Sequence, residues 1–148
     1  MTPEELARDA LARACADAMW EDDPASRSLG MVLEQVGPGT ARMAMEVRAD
    51  MVNGHGMCHG GFIFTFADST FAFACNTYNE RTVAQHCAIT FLRPAQRGMR
   101  LVAVATERAR AGRSGIYDIT VTDQLDKVIA EFRGNSRGLG TKFFEDQP

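Results

Sequence analysis

The sequence lacks the features of several large protein classes. Its 148 residues carry a net charge of only −3, without the basic excess of nucleic-acid-binding domains, so we expect no nucleic-acid partner. No apolar run reaches the roughly 20 residues that a membrane-spanning helix needs, so we expect no membrane partner. The four cysteines form no CxxC pair, and Met1 precedes Thr-Pro-Glu-Glu rather than the basic and apolar regions of a signal peptide. These absences predict a cytoplasmic protein with reduced thiols.

The composition is that of a globular protein. Hydrophobic residues make up 45% and charged residues 24% of the chain, which is enough apolar side chain for a packed core. The length predicts one domain over residues 1–148. Thr2-Pro3-Glu4-Glu5 has the pattern of a capping box with proline in the first turn, and it predicts an amphipathic helix over residues 1–20.

The remaining chain alternates in a way that predicts a sheet around one helix. Apolar residues alternate with polar ones on both sides of Gly37-Pro38-Gly39, which is typical of a hairpin. The segment from Gly60 to about Asn76 is apolar on nearly every side, which predicts a buried central helix. Four further strands are predicted at residues 82–93, 99–110, 115–123 and 127–138. The fold class is therefore α+β, with a curved antiparallel sheet around a long helix.

Asp68 is the one charged residue between Gly60 and Asn79. It could be a hydrogen-bonded core group, a residue that caps or ends a helix, or a functional carboxylate. An unpaired buried charge costs several kcal/mol, and no Lys or Arg lies one helical turn away from it. From the residues alone, these alternatives remain open.

Gly60 and Gly61 begin the predicted helix. The first N–H groups of a helix lack partners and carry partial positive charge, so a ligand carbonyl could approach them closely here. Gly60 and Asp68 are separated by eight residues, or ~12 Å along a helix axis. One chain cannot easily bring both groups to one carbonyl, so if both act on one substrate we expect a symmetric dimer with shared sites.

Several motifs resemble those of the hotdog-fold acyl-CoA thioesterases, in particular the PaaI-type proteins of phenylacetic acid degradation. The resemblance runs over about residues 28–140. Its motifs are Asn53-Gly54-His55, Cys58-His59-Gly60-Gly61, Asp68, Phe91-Leu92-Arg93-Pro94, Gly115-Ile116-Tyr117-Asp118-Ile119 and Phe132-Arg133-Gly134. The resemblance implies a hotdog fold with its core over 28–140 and a homodimer, further paired into a homotetramer. It implies hydrolysis of aryl- or phenylacetyl-CoA-type thioesters, with coenzyme A as part of the substrate and no separate cofactor.

By position, the resemblance gives roles to individual residues. Asp68 would be the catalytic carboxylate, as general base or as nucleophile, and Gly60 would donate its N–H to the thioester carbonyl. Asn53 would orient water or substrate, and His59 would hold the loop. Relatives carry a hydroxyl helper near the next strand, where this chain has Ala84 with Thr82 close by.

Further side chains could bind the substrate. They lie beside the helix start, beside Asp68, or among the basic residues suited to phosphates. The predicted substrate-binding residues are Gly61, Phe64, Phe71, Arg93, Arg110, Arg113 and Arg137. His55, Cys58 and His59 could instead suggest a metal site, but no fourth ligand stands nearby, and we expect no metal. Alternative functions are a cysteine-based acyl transfer, a hydratase or dehydratase on the same fold, and a non-enzymatic acyl-CoA-binding protein.

Overall fold

The structure is a computed structural model that describes residues 1–145. Its helices are α1 (Pro3–Glu21), α2 (Pro24–Ser28) and α3 (Gly60–Cys75), and its strands are β1 (Val32–Gly37), β2 (Thr40–Glu46), β3 (Thr82–Phe91), β4 (Arg100–Ala111), β5 (Ser114–Thr122) and β6 (Val128–Gly138). The predicted elements are all present, within two residues at nearly every boundary. Neither long helix within residues 1–145 has an apolar stretch sufficient to cross a membrane.

The N-terminal helix begins as its sequence predicts. The Thr2 hydroxyl accepts the Glu5 N–H at 3.1 Å, and the Glu5 carboxylate accepts the Thr2 N–H at 2.7 Å. After Glu21 the chain does not simply leave the helix. Asp23 caps the short helix α2 by accepting the Ser26 N–H, and Pro24 takes the first helical position. Neither α2 nor the 3₁₀ turn at Ala49–Met51 is predicted by the sequence pattern.

The six strands form one antiparallel sheet in the order β1-β2-β4-β5-β6-β3. The sheet curves around α3, which contacts every strand, as the hotdog fold requires. Phe71 packs on the sheet beside Tyr117 and Phe132. A Cβ at Gly134 would lie 2.6 Å from the Phe71 ring, so only glycine admits this close packing.

The two edges of the sheet differ. At one edge, β1 packs against α1. At the other edge, β3 pairs within residues 1–145 with β6 alone, and most of its side chains are exposed, with Val83 at 47% and Phe91 at 49%. A strand of ten residues with an unpaired row of backbone groups is a ready template for another strand.

Candidate active site

The N-terminus of α3 presents one free backbone donor. His59 is the N-cap, and its Nδ1 accepts the Gly61 N–H at 2.9 Å. The Phe62 N–H bonds to the His59 carbonyl. Within residues 1–145 the Gly60 N–H has no such partner, so it can donate to a ligand with the positive end of the helix dipole behind it.

Asn53 adds a second donor. Its Oδ1 accepts the N–H groups of His55 and Met57 at 2.9 and 3.2 Å, which folds the loop before α3. Since both bonds use the oxygen, the Nδ2 group is left to face the surroundings. Asn53 and Gly60 line the same open cleft, which has a volume of about 380 Å³. Two donors beside one cleft can stabilise a developing oxyanion.

The rest of the cleft is mostly apolar. Its walls come from the Asn53 loop, from α3 and from the segment after β3, and they include Met57, Cys58, Ile63, Phe91, Leu92 and Pro94. The Phe91 ring lies over Gly60, where a Cβ would stand 2.9 Å from it. Arg93 lines the cleft and donates from Nη1 to the Val128 carbonyl at 2.9 Å. Met57, Ile63 and Leu92 are not predicted as lining residues, because no local pattern distinguishes them from core residues.

Asp68 lies in the middle of an unbroken α3 and is half-buried. The helix does not end or start there, so the interpretation of Asp68 as a cap is wrong. Burial raises the pKa of the Asp68 carboxyl, and within residues 1–145 no hydrogen bond or opposite charge offsets that effect. The hydroxyl of Thr65, about one helical turn before Asp68, donates to the Gly61 carbonyl at 2.9 Å rather than to the carboxylate. A raised pKa makes the ionised carboxylate a stronger base.

Asp68 does not line the Gly60 cleft. The charge of Asp68 contributes, second to burial, to the raised pKa of the Cys87 thiol on β3. Thr82 is not beside Asp68 but at the far end of α3, where its N–H and carbonyl bond the Asn76 amide at 2.8 and 3.0 Å. The structure therefore brings Asn53, Gly60 and Arg93 together and leaves the carboxylate of the same chain outside their cleft.

The other residues considered for substrate binding are dispersed. Gly61 is engaged with His59, Phe64 is half-buried against Phe132, and Phe71 is 1% exposed within the core. The arginines beyond the cleft cluster near the C-terminal end of α3. There Arg110 stacks on the Tyr78 ring at 3.5 Å, Arg113 approaches Gly140, and Arg137 is exposed on β6.

Metal-ligating side chains do not cluster. Residues 1–145 contain no group of three or more His, Cys, Asp or Glu side chains placed to hold a metal ion. Burial raises the pKa of the Cys58 thiol, which disfavours the thiolate that a cysteine nucleophile would need. All four cysteines are free thiols.

The chain is similar to known proteins over most of its length. Residues 55–130 match the Thioesterase superfamily. Acyl-coenzyme A thioesterase PaaI of Escherichia coli (strain K12) is 42% identical over 125 residues, which are 84% of this chain and 89% of that protein.

Two solved structures extend the similarity to the fold. The E. coli PaaI protein from the phenylacetic acid degradation operon superposes with a TM-score of 0.89 at 40% identity, covering 90% of this chain and 97% of that one. A mutant of phenylacetic acid degradation protein PaaI from Thermus thermophilus superposes with a TM-score of 0.76 at 38% identity, covering 79% and 100%. The curved sheet around α3 is thus the hotdog fold, and the chain belongs to the Thioesterase superfamily as a thioester hydrolase.

Proposed function

We propose that the protein is an acyl-CoA thioesterase that hydrolyses aryl- or phenylacetyl-CoA-type thioesters to the free acid and coenzyme A. The observation that carries this proposal is the pairing of an apolar cleft with the free Gly60 N–H at its wall. The apolar walls suit an aryl or acyl group and the pantetheine arm, and the N–H suits a thioester carbonyl. The E. coli relative is an acyl-coenzyme A thioesterase, which supports the same substrate class.

In this proposal the carbonyl oxygen accepts hydrogen bonds from the Gly60 N–H and the Asn53 Nδ2 group. Asp68 takes a proton from water as the water oxygen adds to the carbonyl carbon. The tetrahedral intermediate then collapses, the C–S bond breaks, and the thiolate of coenzyme A receives a proton. If Asp68 instead attacks directly, an acyl-aspartyl anhydride forms as the thiolate of coenzyme A leaves. Water that then attacks the aspartyl carbonyl leaves its oxygen in Asp68, so label in Asp68 after a single turnover in ¹⁸O-labelled water would identify this route.

We propose further that each site is shared between two protomers. Along one chain, α3 runs antiparallel to β3, because Asn76 bonds Thr82 at one end and a Cβ at Gly60 would meet the Phe91 ring at the other. Asp68 lies midway along α3, which places it beside the middle of β3, around Cys87. Because Gly60 lies beside Phe91 and Asp68 lies beside Cys87, the partner's Gly60 can reach Asp68 only if the partner's Phe91 lies opposite Cys87. This condition sets an antiparallel β3–β3 pairing with its two-fold axis near Ile89, midway between those positions.

This pairing also supports a role for the arginines. On β6, Arg137 is paired with Val83 of β3 and with Ser114 of β5. In the proposed dimer this end of β3 would lie beside the partner's Arg93. The phosphates of coenzyme A would then meet Arg93 of one protomer, with the partner's Arg113 and the partner's Arg137 within reach. Arg110, stacked on Tyr78 and 3.8 Å from the Glu107 carboxylate, would serve mainly to hold that end of the sheet.

We propose a homotetramer built from two such dimers, located in the cytoplasm. The outer face of the sheet exposes Val32 at 55% and Val104 at 39%, which gives a second surface for association. The free thiols accord with a reducing compartment. Light scattering after gel filtration measures the assembly directly.

A panel of aromatic and aliphatic CoA thioesters tests the activity. Thiol release should be fastest with phenylacetyl-CoA-type substrates. Asp68→Asn should lower kcat by about 10²–10⁴-fold, the range for loss of a general base. Absence of thiol release from every ester with folded wild-type protein would reject the proposal.

A further inference from the structure

Ser69 differs from the other hydroxyl side chains of α3. Thr65 and Thr70 donate to carbonyls one turn earlier in the same helix, at 2.9 Å in each case. Ser69, the residue after Asp68, instead contacts a different element, with its Oγ 2.8 Å from the Oγ of Ser26. This bond joins the middle of α3 to the short helix α2.

The bond continues to a carboxylate. Ser26 is 1% exposed, and its Oγ donates to Asp23 Oδ2 at 2.6 Å, while its N–H donates to Asp23 Oδ1 at 2.9 Å. The Ser26 hydroxyl has one proton, and that proton is used by Asp23. Ser69 must therefore be the donor to Ser26. The result is a directed chain from Ser69 through Ser26 to Asp23, ending on a negative charge that strengthens it.

This series of hydrogen bonds restrains the rotation of α3 about its axis. Most of the surface of α3 is apolar, and its packing against the sheet is non-directional. Hydrogen bonds depend on angle and distance, so the Ser69–Ser26 bond resists rotation of α3 about its axis. A rotation of about 10° moves an atom ~6 Å from a helix axis by about 1 Å, and a misplacement of that size can cost about 10²-fold in rate.

Asp68 itself has no such restraint. Within residues 1–145 its carboxylate has no hydrogen-bond partner, so its position follows that of the helix. We propose that Ser69, Ser26 and Asp23 are positioning residues for Asp68, fixing the rotation of α3 that aims the carboxylate at the substrate. This inference rests on the proposed function and assigns the segment before β1 a part in it.

Steady-state kinetics on Ser69→Ala and Ser26→Ala tests the inference, with the CoA thioester that the wild type hydrolyses fastest. Each variant should lose about 5- to 30-fold in kcat with KM within about twofold, since substrate contacts are unchanged. The double variant should lose no more than the worse single variant, because Ser26→Ala already breaks the bond that Ser69→Ala removes. Ser69→Thr, which keeps the hydroxyl, should restore most of kcat.

Ser28→Ala is the matched control. Ser28 lies in the same short helix, and among the described residues 1–145 its hydroxyl bonds only the exposed Ala25 carbonyl, so kcat of this variant should equal that of the wild type. A Ser69→Ala protein that folds and retains wild-type kcat would overturn the inference, as would losses that simply multiply in the double variant. If Ser69→Ala does not fold, Ser69→Cys replaces it, because a thiol is similar in size to a hydroxyl and is a weaker donor. Wild-type kcat in folded Ser69→Cys would then overturn the inference. Failure of the proposed function would appear separately, as an inactive wild type.

Discussion

The Nδ1 atom of His59 accepts the backbone N–H of Gly61 at 2.9 Å. The bond caps α3 and, because Nδ1 is an acceptor, places the proton of the neutral ring on Nε2. The bond uses the N–H of Gly61, the second residue of the helix. The N–H of Gly60, the first residue, remains available to a ligand. His59 therefore organises the donor at the cleft without itself lining the cleft.

Replacement of His59 should affect stability through this cap. His59→Ala should lower the free energy of unfolding by about 1 kcal/mol, the usual cost of losing an N-cap side chain, and should lower Tm by roughly 3 °C. His59→Asn should retain most of the stability, because the Asn oxygen can accept the same N–H. Thermal unfolding of the two variants measures this, and equal losses would contradict the capping role.

The Gly60 donor can be removed with little disturbance of the helix. Gly60 is the first helical residue, where proline is well tolerated, and His59 has the extended backbone (φ −60°, ψ 133°) that proline requires before it. Gly60→Pro deletes the N–H, whereas Gly60→Ala adds a comparable Cβ against Phe91 and keeps the N–H. We expect kcat of Gly60→Pro to be about 10²–10³-fold below that of Gly60→Ala.

The matched control for backbone flexibility is Gly54→Ala. A Cβ at Gly54 would meet nothing within 4 Å, so this variant should keep wild-type kcat. Equal kcat values for Gly60→Pro and Gly60→Ala would show that the Gly60 N–H does not polarise the substrate.

The raised pKa of Asp68 predicts a pH dependence of rate. The carboxylate must be ionised to act as a base, so kcat/KM should fall on acidification, with a midpoint above the ordinary aspartate value of 3.8. A rate profile on buffers of constant ionic strength measures the midpoint. A midpoint at or below 3.8 would mean that a different group controls the acid limb.

The same pKa predicts a pH dependence of stability. The folded protein holds the Asp68 proton more tightly than the unfolded chain, so the contribution of Asp68 to the free energy of unfolding is lost as pH rises through the folded pKa. Asp68→Asn carries no such charge. It should raise Tm by a few degrees at neutral pH, and the difference should shrink toward pH 3.8 and below. A lower Tm at neutral pH would indicate that the charged carboxylate has a stabilising partner.

The proposed pairing of β3 can be tested by a cross-link. With the two-fold axis near Ile89, the two copies of this residue lie directly opposite, within the roughly 4.5–5.5 Å typical of antiparallel Cα pairs and within reach of a disulfide. Ile89→Cys should form covalent dimers under mild oxidation, whereas Val83→Cys, far from the axis, should not. If the Val83 variant formed covalent dimers and the Ile89 variant did not, the two-fold axis would lie near Val83 rather than near Ile89.

Most of the fold was predictable because its determinants are local. The capping box at Thr2 and Glu5, the alternation around Gly37-Pro38-Gly39 and the apolar run from Gly60 are short-range patterns, and each gave an element that the structure contains. Helix α2 was not predicted because Asp22-Asp23-Pro24 resembles the end of one helix as closely as the start of the next. The capping role of Asp23 depends on the Ser26 amide, which only the folded backbone positions.

The site was predictable only in part. The double glycine and the lone carboxylate could be found in the sequence. The rise of an α-helix also indicated that the two lie too far apart along one helix to contact the same carbonyl. The cleft could not be predicted, since Met57, Ile63 and Leu92 meet only through long-range packing of a loop, α3 and the segment after β3. Helical spacing predicts Phe71 beside Asp68, but the absence of a side chain at Gly134 lets the Phe71 ring enter the core instead.

Subunit complementation tests the shared site most directly. Asp68→Asn and Gly60→Pro should each be nearly inactive alone. If Asp68 acts with the partner's Gly60, a mixed dimer contains one site that has both defects and one that has neither. After subunit exchange of an equal mixture, about half the dimers are mixed, and activity should return to about a quarter of the wild-type value. If Asp68 and Gly60 of one chain served the same site, every site would keep one defect, and the mixture would stay inactive.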